Sequence, residues 1–487
     1  MTRGALHSQD ANIPRVVRDT MELVRGLGEK YLWVDALCIV QDDNDDKANQ
    51  ISRMDAVYNN ALITIIAAAT TGAHESLPGV GQTPRLSQHV EEINGIHMTV
   101  PHSQFPTALE STVWLTRGWT YQERLLSPRR LYVLADQAFF ECHGASLGEW
   151  YEAKIPNVPR LFDELWGEYR DSVPRYQDTV TRYTERTLSW PSDILNAFAG
   201  IAAAWGKGFK TPMSNGLPLN QMEYTLVWEP VMFVGRRAPE TVDNTSQRAF
   251  PTWSWAGWEG PVRYKTIASD GEIKDEIRNF SVTRTKLLPS QSSFSGDPKS
   301  TLCDVLEFKS TSAFFTVSHH EAIAFPTFNK TGNHHYGISF RIFDSTPTYC
   351  GAAFGLEPDL VEGRDAALYE CVLLSRSRVI TPMLDNRDIF FRKGKPIMVK
   401  SRSDMLKYML MPETAKEWPK EGPAISLDAS GFKLVGSNGL AKPWSMINVL
   451  IIKTVANGEF AERVGIGQMH EDAWSRAKHQ EKVFRII

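Results

Sequence analysis

The first pattern that could carry chemistry is the run GASLG at residues 144–148, which matches the G-x-S-x-G signature of a nucleophile elbow. It follows a strand-like segment ending near Cys142, as an elbow does in a serine hydrolase. Glycine and serine are common, so a chain of this size contains such a match by chance in roughly one case in six. No HGGG-type oxyanion segment precedes the run and no histidine is marked as its partner. A serine hydrolase that uses Ser146 is therefore a minor alternative.

A second pattern is the group of four aspartates within residues 42–46, which invites comparison with a calcium loop. An EF-hand loop starting at Asp42 requires glycine at its sixth position and glutamate at its twelfth. Lys47 and Arg53 stand there instead. Acidic side chains are stabilising at the start of a helix, so the cluster predicts a helix N-terminus and no metal site.

The elements that would position such residues follow from hydrophobic spacing. Residues 13–27 carry apolar side chains every three or four positions, which predicts a helix ended by Gly28. Residues 31–40 and 62–69 are near-continuous apolar runs, typical of strands covered on both faces. The segment 48–61 between them again has helical spacing. This alternation predicts a parallel sheet with covering helices, an α/β fold.

Two residues in the run 31–40 stand out. Asp35 interrupts the apolar pattern near the expected carboxyl end of the strand, where open α/β sheets bind ligands. It is therefore a pocket candidate, although a carboxylate that caps a helix or pairs with an arginine explains it as well. Cys38 has the context of a buried, inert thiol.

Further along, the sequence predicts a helix over 121–127 stopped by Pro128, then a strand pair at 130–134 and 137–142. Residues 160–205 read as helical, and strand-like alternation dominates after residue 225. The clearest later strands are predicted at 305–310, 313–318, 369–375, 396–400 and 446–452. Trp253, Trp255 and Trp258 lack interleaved basic residues, so a core or interface role is expected. The Ser-rich stretch 288–300 predicts a loop.

Composition narrows the functional classes. The chain has 487 residues and a formal net charge of -4, so charge favours neither nucleic acid nor an anionic membrane as the main partner. The five cysteines form no CxxC pair, which argues against a disulfide framework or structural zinc. The sequence shows no signal peptide and no apolar run long enough to span a membrane, so we expect a cytoplasmic protein.

The segment YLWVDALCIVQDDNDDKANQISRMDAVYNNA contains the block Leu-Trp-hydrophobic-Asp-x-x-Cys-Ile-x-Gln and a trailing Met-x-x-hydrophobic-Tyr-x-x-Ala. In both it resembles the fungal heterokaryon-incompatibility (HET) domain. The segment RGWTYQERLLSPRRLYV is similar to a second family block, and AFFEC fits its close. YTERTLSWPSDILNAFAGI and FPTWSWAGWEG resemble segments that often follow the domain. The likeness covers residues 12–145 strongly and much of 170–260 more loosely.

The resemblance implies a role in fungal non-self recognition that ends in growth arrest or cell death. The HET domain is itself similar to Toll/interleukin-1-receptor (TIR) domains, which have a flavodoxin-like fold and some of which cleave NAD. In those, a glutamate follows a tryptophan at the start of a helix that lines the nucleotide pocket. By position, Glu123 is the catalytic candidate and Trp119 a pocket candidate, with Arg117 as a partner for a carboxylate or a phosphate. NAD would be the substrate, and no bound cofactor or metal is expected.

Glu123 also has a structural interpretation. Thr120 and Glu123 have the spacing of a capping box, in which threonine caps a helix and the glutamate returns the hydrogen bond. One departure from the family concerns the domain's opening strand, usually similar to Leu-Ser-Tyr-x-Trp-Gly. Residues 1–11 do not supply it, so we expect an N-terminally incomplete copy.

The predicted organisation is an incomplete TIR-like α/β domain at 1–147, a helical connector at 148–225, and a β-rich C-terminal region at 226–487. Two functions remain open besides the hydrolase. One is NAD hydrolysis by a cell-death effector that assembles with itself or with a sensor protein. The other is a non-enzymatic module that signals by oligomerisation, or an inactive remnant of the enzyme.

Overall fold

A computed structural model gives the architecture. The residues it describes are 13–51, 53–100, 102–142, 145–149, 173–231, 235–241, 246–264, 273–287, 300–328, 334–346, 349–356, 366–377, 391–392, 395–396, 398–399, 446–455 and 458–487. The chain divides into two compact units. The first comprises 1–175 and 186–211, and the second comprises 176–185 and 212–487.

The helices, in chain order, are α1 (Arg15–Gly26), α2 (Asp35–Cys38), α3 (Asn44–Ile51), α4 (Met54–Asn60), α5 (Phe105–Glu110), α6 (Val113–Thr116), α7 (Trp119–Leu126), α8 (Val173–Thr184), α9 (Ala199–Phe209), α10 (Met222–Thr225) and α11 (Glu471–Arg476). Short 3-10 turns lie at Pro191–Ile194, Leu219–Gln221 and Trp255–Gly257.

The strands are β1 (Thr64–Ile66), β2 (Val90–Ile93), β3 (Ile96–Thr99), β4 (Arg129–Val133), β5 (Ala138–Cys142), β6 (Ser146–Gly148), β7 (Met213–Ser214), β8 (Leu217–Pro218), β9 (Trp228–Pro230), β10 (Glu240–Thr241), β11 (Ser246–Arg248), β12 (Val262–Tyr264), β13 (Ile273–Asp275), β14 (Arg278–Leu287), β15 (Ser300–Phe328), β16 (His334–Phe343), β17 (Tyr349–Phe354), β18 (Ala366–Ser377), β19 (Phe391–Arg392), β20 (Lys395–Pro396), β21 (Met398–Val399), β22 (Met446–Thr454), β23 (Ala461–His470) and β24 (Gln480–Ile486).

The first unit is built on a four-stranded sheet of order β1-β4-β5-β6. Only β1 and β4 run parallel, and the β4-β5 and β5-β6 pairs are antiparallel. Apolar side chains from α5 and α6 pack on one side of this sheet with Ile66 and Tyr132. Val133 and Ile65 belong to a second cluster, which also takes side chains from α1. The predicted α/β class is confirmed, and the parallel part of the sheet is one strand pair.

A second layer of this unit is helical, with contacts among α4, α7 and α9. Close approach of α9 depends on Gly200, where a Cβ atom would lie 2.8 Å from Leu126 Cδ1 and 3.2 Å from Asp55 Cβ. Distances this short exclude a side chain at that position without rearrangement. The layer matters because α7 carries Glu123.

The predicted strand at 31–40 is wrong. Tyr31 is exposed, and the segment contains α2 and loop instead. A strand needs a neighbour to satisfy its backbone groups, and among the described residues β1 pairs with β4 and not with this segment. Asp35 therefore opens a helix rather than closing a strand, and Cys38 is exposed rather than buried.

The predicted helices of this unit agree more closely with the structure. Helix α1 and the left-handed Gly28 after it (φ 82°) are as expected. The aspartates at 42–46 do begin a helix: Asp43 Oδ1 accepts from the amides of Asp45 and Asp46 at 2.9 and 3.0 Å. The predicted helix over 48–61 is two helices, α3 and α4. The expectation of a missing opening strand concerns residues 1–11, which lie outside the described residues.

The second unit is dominated by a twelve-stranded sheet organised by β15, a strand of 29 residues. Its length lets it pair with β14 and β24 near its start and with β16 and β18 further along. From β16 the pairing continues through β17, β23 and β22 to β18, which returns to β15, so six strands form a closed ring. This confirms the predicted β-rich C-terminal region. The segments predicted as strands at 305–310 and 313–318 are one strand, and the predicted loop at 288–300 lies largely outside the described residues.

The core of this unit is aliphatic and aromatic, and includes Phe315, Ile342, Val449 and Trp474. The tryptophans of the TWSWAGW segment are 0–2% exposed, which confirms the predicted core role. Two of the three indole nitrogens donate to backbone carbonyls: Trp253 to Asp304 O at 3.1 Å and Trp258 to Thr252 O at 3.0 Å. In the described part of the chain, no helix has the length and apolarity to cross a membrane. All five cysteines are free thiols.

Candidate functional site

Glu123 lies one turn into α7, where two side chains from other helices hold its carboxylate. The indole N–H of Trp114, on α6, donates to it, and so does the hydroxyl of Tyr58, on α4. Trp114 and Tyr58 are themselves buried. Trp33 packs edge-on against Tyr58, with ring centroids 6.1 Å apart. These two hydrogen bonds hold the carboxylate in place. Glu123 as a whole is half-buried, so part of the residue remains accessible.

Burial and nearby charges together place the pKa of Glu123 close to neutral pH. Burial is the main influence and raises the pKa of its carboxyl to about 7. The positive charge of Arg117 opposes this rise, and the negative charge of Asp35 adds to it. Both are exposed residues, so solvent screens their effects. The pKa of Tyr58 is raised by burial and by the nearby carboxylate, which keeps its hydroxyl protonated and able to donate.

A segment much later in the chain fixes the start of α7. The Gly118 amide donates to Thr187 O and the Thr187 amide donates to Thr116 O, both at 2.7 Å. A Cβ atom at Gly118 would lie 2.5 Å from Leu188 Cδ2, so a larger residue there would force the Leu188 side chain to move.

Arg186 strengthens the same junction. Its guanidinium lies 4.4 Å from the centre of the Tyr121 ring. It also donates to Arg117 O at 3.2 Å and to Thr120 Oγ1 at 3.3 Å. The backbone that leads from Arg117 to Glu123 is therefore tied to residues 186–188.

The capping-box interpretation of Glu123 is wrong. Helix α7 begins at Trp119, and Thr120 lies inside it. The Thr120 hydroxyl donates back to Trp114 O and Arg117 O at 2.7 and 2.8 Å. The carboxylate of Glu123 turns to Trp114 and Tyr58 rather than to a helix N-terminus.

Three of the four predicted site residues come together, namely Glu123, Arg117 and Asp35. Trp119 is half-buried at the start of α7, but the tryptophan that bonds the carboxylate is Trp114. Asp35 is the first residue of α2 but does not cap it, because its Oδ1 accepts from the adjacent Ala36 amide at 2.7 Å. Its negative charge reaches Glu123.

Sequence reasoning missed Tyr58, Trp114 and Arg186. A signal existed for Tyr58, which is the tyrosine of the first family-like block, and for Arg186, which lies in the segment YTERTLSW. Trp114 stands just before the second block. Nothing in the spacing along the chain shows that residues from 58, 114 and 186 meet at one helix.

Ser146 does not lie on a nucleophile elbow. It is the first residue of β6, paired with Glu141 of β5 in an antiparallel ladder. An elbow places its serine on a sharp turn between a strand and a helix. The serine-hydrolase alternative therefore loses its structural basis.

These observations define an α/β unit with a carboxylate site, followed in the chain by a β-rich unit. Residues 2–123 match the family model for Heterokaryon incompatibility protein (HET). Residues 2–123 are thus similar to a HET domain, as the sequence blocks predict. No curated protein and no solved structure matches the chain. That this unit has a TIR-like fold remains a prediction.

Chemically, the site offers one carboxylate that changes charge near neutral pH, an exposed guanidinium beside it, and a second carboxylate at longer range. An ionised carboxylate fixed in a buried site can stabilise positive charge that develops on a bound molecule. An arginine can hold a phosphate. The arrangement suits a substrate that combines anionic groups with a centre that becomes positive during reaction.

Proposed function

We propose that this protein acts inside the cell in fungal non-self recognition, and that its HET domain triggers cell death by hydrolysing NAD with Glu123. The observation that carries the proposal is the environment of Glu123, whose carboxyl has a pKa of about 7 and is held by Tyr58 and Trp114 beside Arg117. Perturbed carboxyls of this kind are concentrated at catalytic sites.

The proposed step is cleavage of the bond between C1′ of the ribose and the nicotinamide nitrogen. The bonding electrons leave with nicotinamide, which departs neutral, and positive charge develops at C1′. Ionised Glu123 stabilises that charge and accepts from the ribose hydroxyls, while Arg117 holds the pyrophosphate. Water then attacks C1′ and releases one proton, so the products are ADP-ribose, nicotinamide and H⁺.

Because the ionised carboxylate is the active form, the rate should depend on pH. At pH 5 Glu123 is mostly protonated and kcat/KM should be low. It should rise through pH 7, the region of the Glu123 pKa, and level off above it.

The test is NAD consumption by the purified full chain and two variants with confirmed circular dichroism spectra. Glu123→Gln keeps the shape and the hydrogen-bond acceptor but removes the charge, and should lower the rate about 100-fold or more. Glu110→Gln is the matched control, an exposed glutamate at the end of α5. It should keep the wild-type rate. Equal rates for both variants, or no consumption by the folded wild type up to its highest soluble concentration, would refute the proposal.

A second candidate, a non-enzymatic module that signals by association, is favoured by a different observation. The apolar side chains of the β2-β3 hairpin are exposed. Association without NAD loss would support this candidate, and NAD loss that depends on Glu123 would support the enzyme.

A further inference from the structure

The hairpin β2-β3 is the most exposed regular element of the first unit. Every residue from His89 to Val100 is exposed, and the two strands form a sheet of their own. Asn94 and Gly95 both have positive φ (53° and 78°), as a two-residue type I′ turn requires. A two-stranded hairpin is marginally stable in water, and no other strand among the described residues pairs with either of its edges.

The register identifies which backbone groups lie on the outer edge of β3. Ile93 and Ile96 flank the turn and form its first hydrogen-bonded pair. Because antiparallel ladders alternate, the N–H and C=O groups of His97 and Thr99 point away from β2. The carbonyl of Val100 fits this alternation, since Gln88 Nε2, on the β2 side, donates to it at 2.7 Å.

We propose that β3 pairs edge to edge with β3 of a second copy of this chain, antiparallel about a two-fold axis at Met98. His97 then lies opposite Thr99 of the second copy, and each such pair exchanges two backbone hydrogen bonds, four in all. Met98 faces its own equivalent and Ile96 faces Val100. This inference is independent of NAD chemistry and gives the HET domain a surface for self-association.

Side-chain chemistry makes β3 self-complementary. Ile96, Met98 and Val100 are 65%, 55% and 72% exposed and share one face of the strand. In the proposed register each meets an apolar residue, and no acidic or lysine side chain meets its like. The three residues and their equivalents in the second copy therefore form a continuous apolar strip across the two-fold axis.

The outer edge of β2 is not self-complementary in the same way. Its outward residues are Val90 and Glu92, with Glu91 between them. An antiparallel pairing of β2 with itself through these outward groups would place Glu91 opposite Glu91 and Glu92 opposite Val90. Like charges directly opposite each other are destabilising. Charge thus selects β3 over β2 for contact with a second copy.

The interface is small compared with those of stable dimers, which bury about 1,200–2,000 Å². A dissociation constant on the order of 100 μM is expected, so pairing depends on local concentration. Association would then be strongest where a sensor gathers several copies.

Disulfide trapping tests the register directly. In a Cys38→Ser background, which removes the exposed native thiol, Met98→Cys should crosslink to its equivalent under mild oxidation at about 100 μM protein, because the Cα atoms of a non-hydrogen-bonded pair lie about 4.5 Å apart. Glu91→Cys, its neighbour on β2, is the matched control and should crosslink at least tenfold more slowly. Equal rates, or no crosslinking by Met98→Cys, would overturn the proposal.

Proline substitutions test the edge itself. His97→Pro removes an outward N–H of β3 and should abolish self-association seen in sedimentation, with the hairpin's own ladder intact. Glu92→Pro removes the corresponding outward N–H of β2 and should leave association unchanged. Loss of association in Glu92→Pro alone would overturn the proposal. Glu123→Gln should associate like the wild type, so failure of the NAD proposal and failure of this one are distinguishable.

Discussion

Two buried charged groups, Arg463 in the second unit and the carboxylate of Glu123 in the first, are held in opposite ways. In the second unit, Arg463 is 2% exposed and its guanidinium donates to two backbone carbonyls. It donates to Leu226 O at 2.7 Å and to Trp228 O, and lies 3.6 Å from the centre of the Trp228 ring. In the first unit, Glu123 has two neutral donors, with only an exposed arginine to compensate its charge.

The pKa values express this difference. Burial lowers the pKa of Arg463 to about 9, so it remains charged at neutral pH and acts as a fixed structural cation. Burial raises the pKa of Glu123 to about 7, so both of its forms are populated at neutral pH. A charge that is always present is suited to holding a fold. A charge that changes near pH 7 is suited to chemistry or to sensing.

The largest expected effect comes from removing the structural cation. Arg463→Ala should destabilise the second unit by about 3–5 kcal/mol, because two buried carbonyls lose their donor and a cavity forms under Trp228. Urea unfolding followed by tryptophan fluorescence measures this. Arg284→Ala, which removes an exposed partner of Asp304, is the control and should cost about 1 kcal/mol or less. Similar losses in both variants would contradict the structural role of Arg463.

Removing the titrating charge should have the opposite sign. The folded-state pKa of Glu123 lies above its ordinary value, so the contribution of Glu123 to stability is most favourable below about pH 4.5 and is lost as pH rises through about 7. Glu123→Gln avoids this cost and should be more stable than wild type by about 1–3 kcal/mol at pH 8, with little difference at pH 4.5. Denaturant unfolding at the two pH values measures it. A destabilised variant at pH 8 would show that Glu123 is a structural anion.

The junction before α7 should tolerate little extra volume. Gly118→Ala should cost about 1–2 kcal/mol, because the new methyl group displaces Leu188. Gly26→Ala is the control in the same unit, at a helix end with no atom within 4 Å, and should be neutral or slightly stabilising. Thermal unfolding of both variants makes the comparison, and equal melting temperatures would mean that Leu188 yields without cost.

The smallest effects should come from the exposed neighbours of Glu123. Arg117→Gln should raise the pKa of Glu123 and Asp35→Asn should lower it, each by less than about one pH unit because solvent screens both charges. Arg117 should have the greater effect. Carbon NMR titration of labelled glutamate measures both, and shifts in the same direction would exclude the proposed charge arrangement.

Sequence patterns predicted local elements well and their partners poorly. Helix α1, the hairpin of β4 and β5 and the β-rich C-terminal region are set by short-range periodicity. The apolar run at 31–40 has the same pattern as a buried strand, but whether it pairs depends on neighbours that no local window contains. Glu123 was selected through family resemblance, whereas Tyr58 and Trp114 join it from other helices. Their contact with Glu123 depends on the tertiary fold and cannot be predicted from local sequence patterns.

The hydrogen bond between Gly118 and Thr187 has a consequence for how related sequences evolve. The match to the HET family ends at residue 123, yet α7 depends on residues 186–188 and on α9, which ends at Phe209. Residue 118 and residue 188 should therefore vary together among related sequences, a larger side chain at one accompanying a smaller one at the other. Recombination within the gene between these two positions would join two segments that had not evolved together. We expect the helix that carries Glu123 to be the first element destabilised.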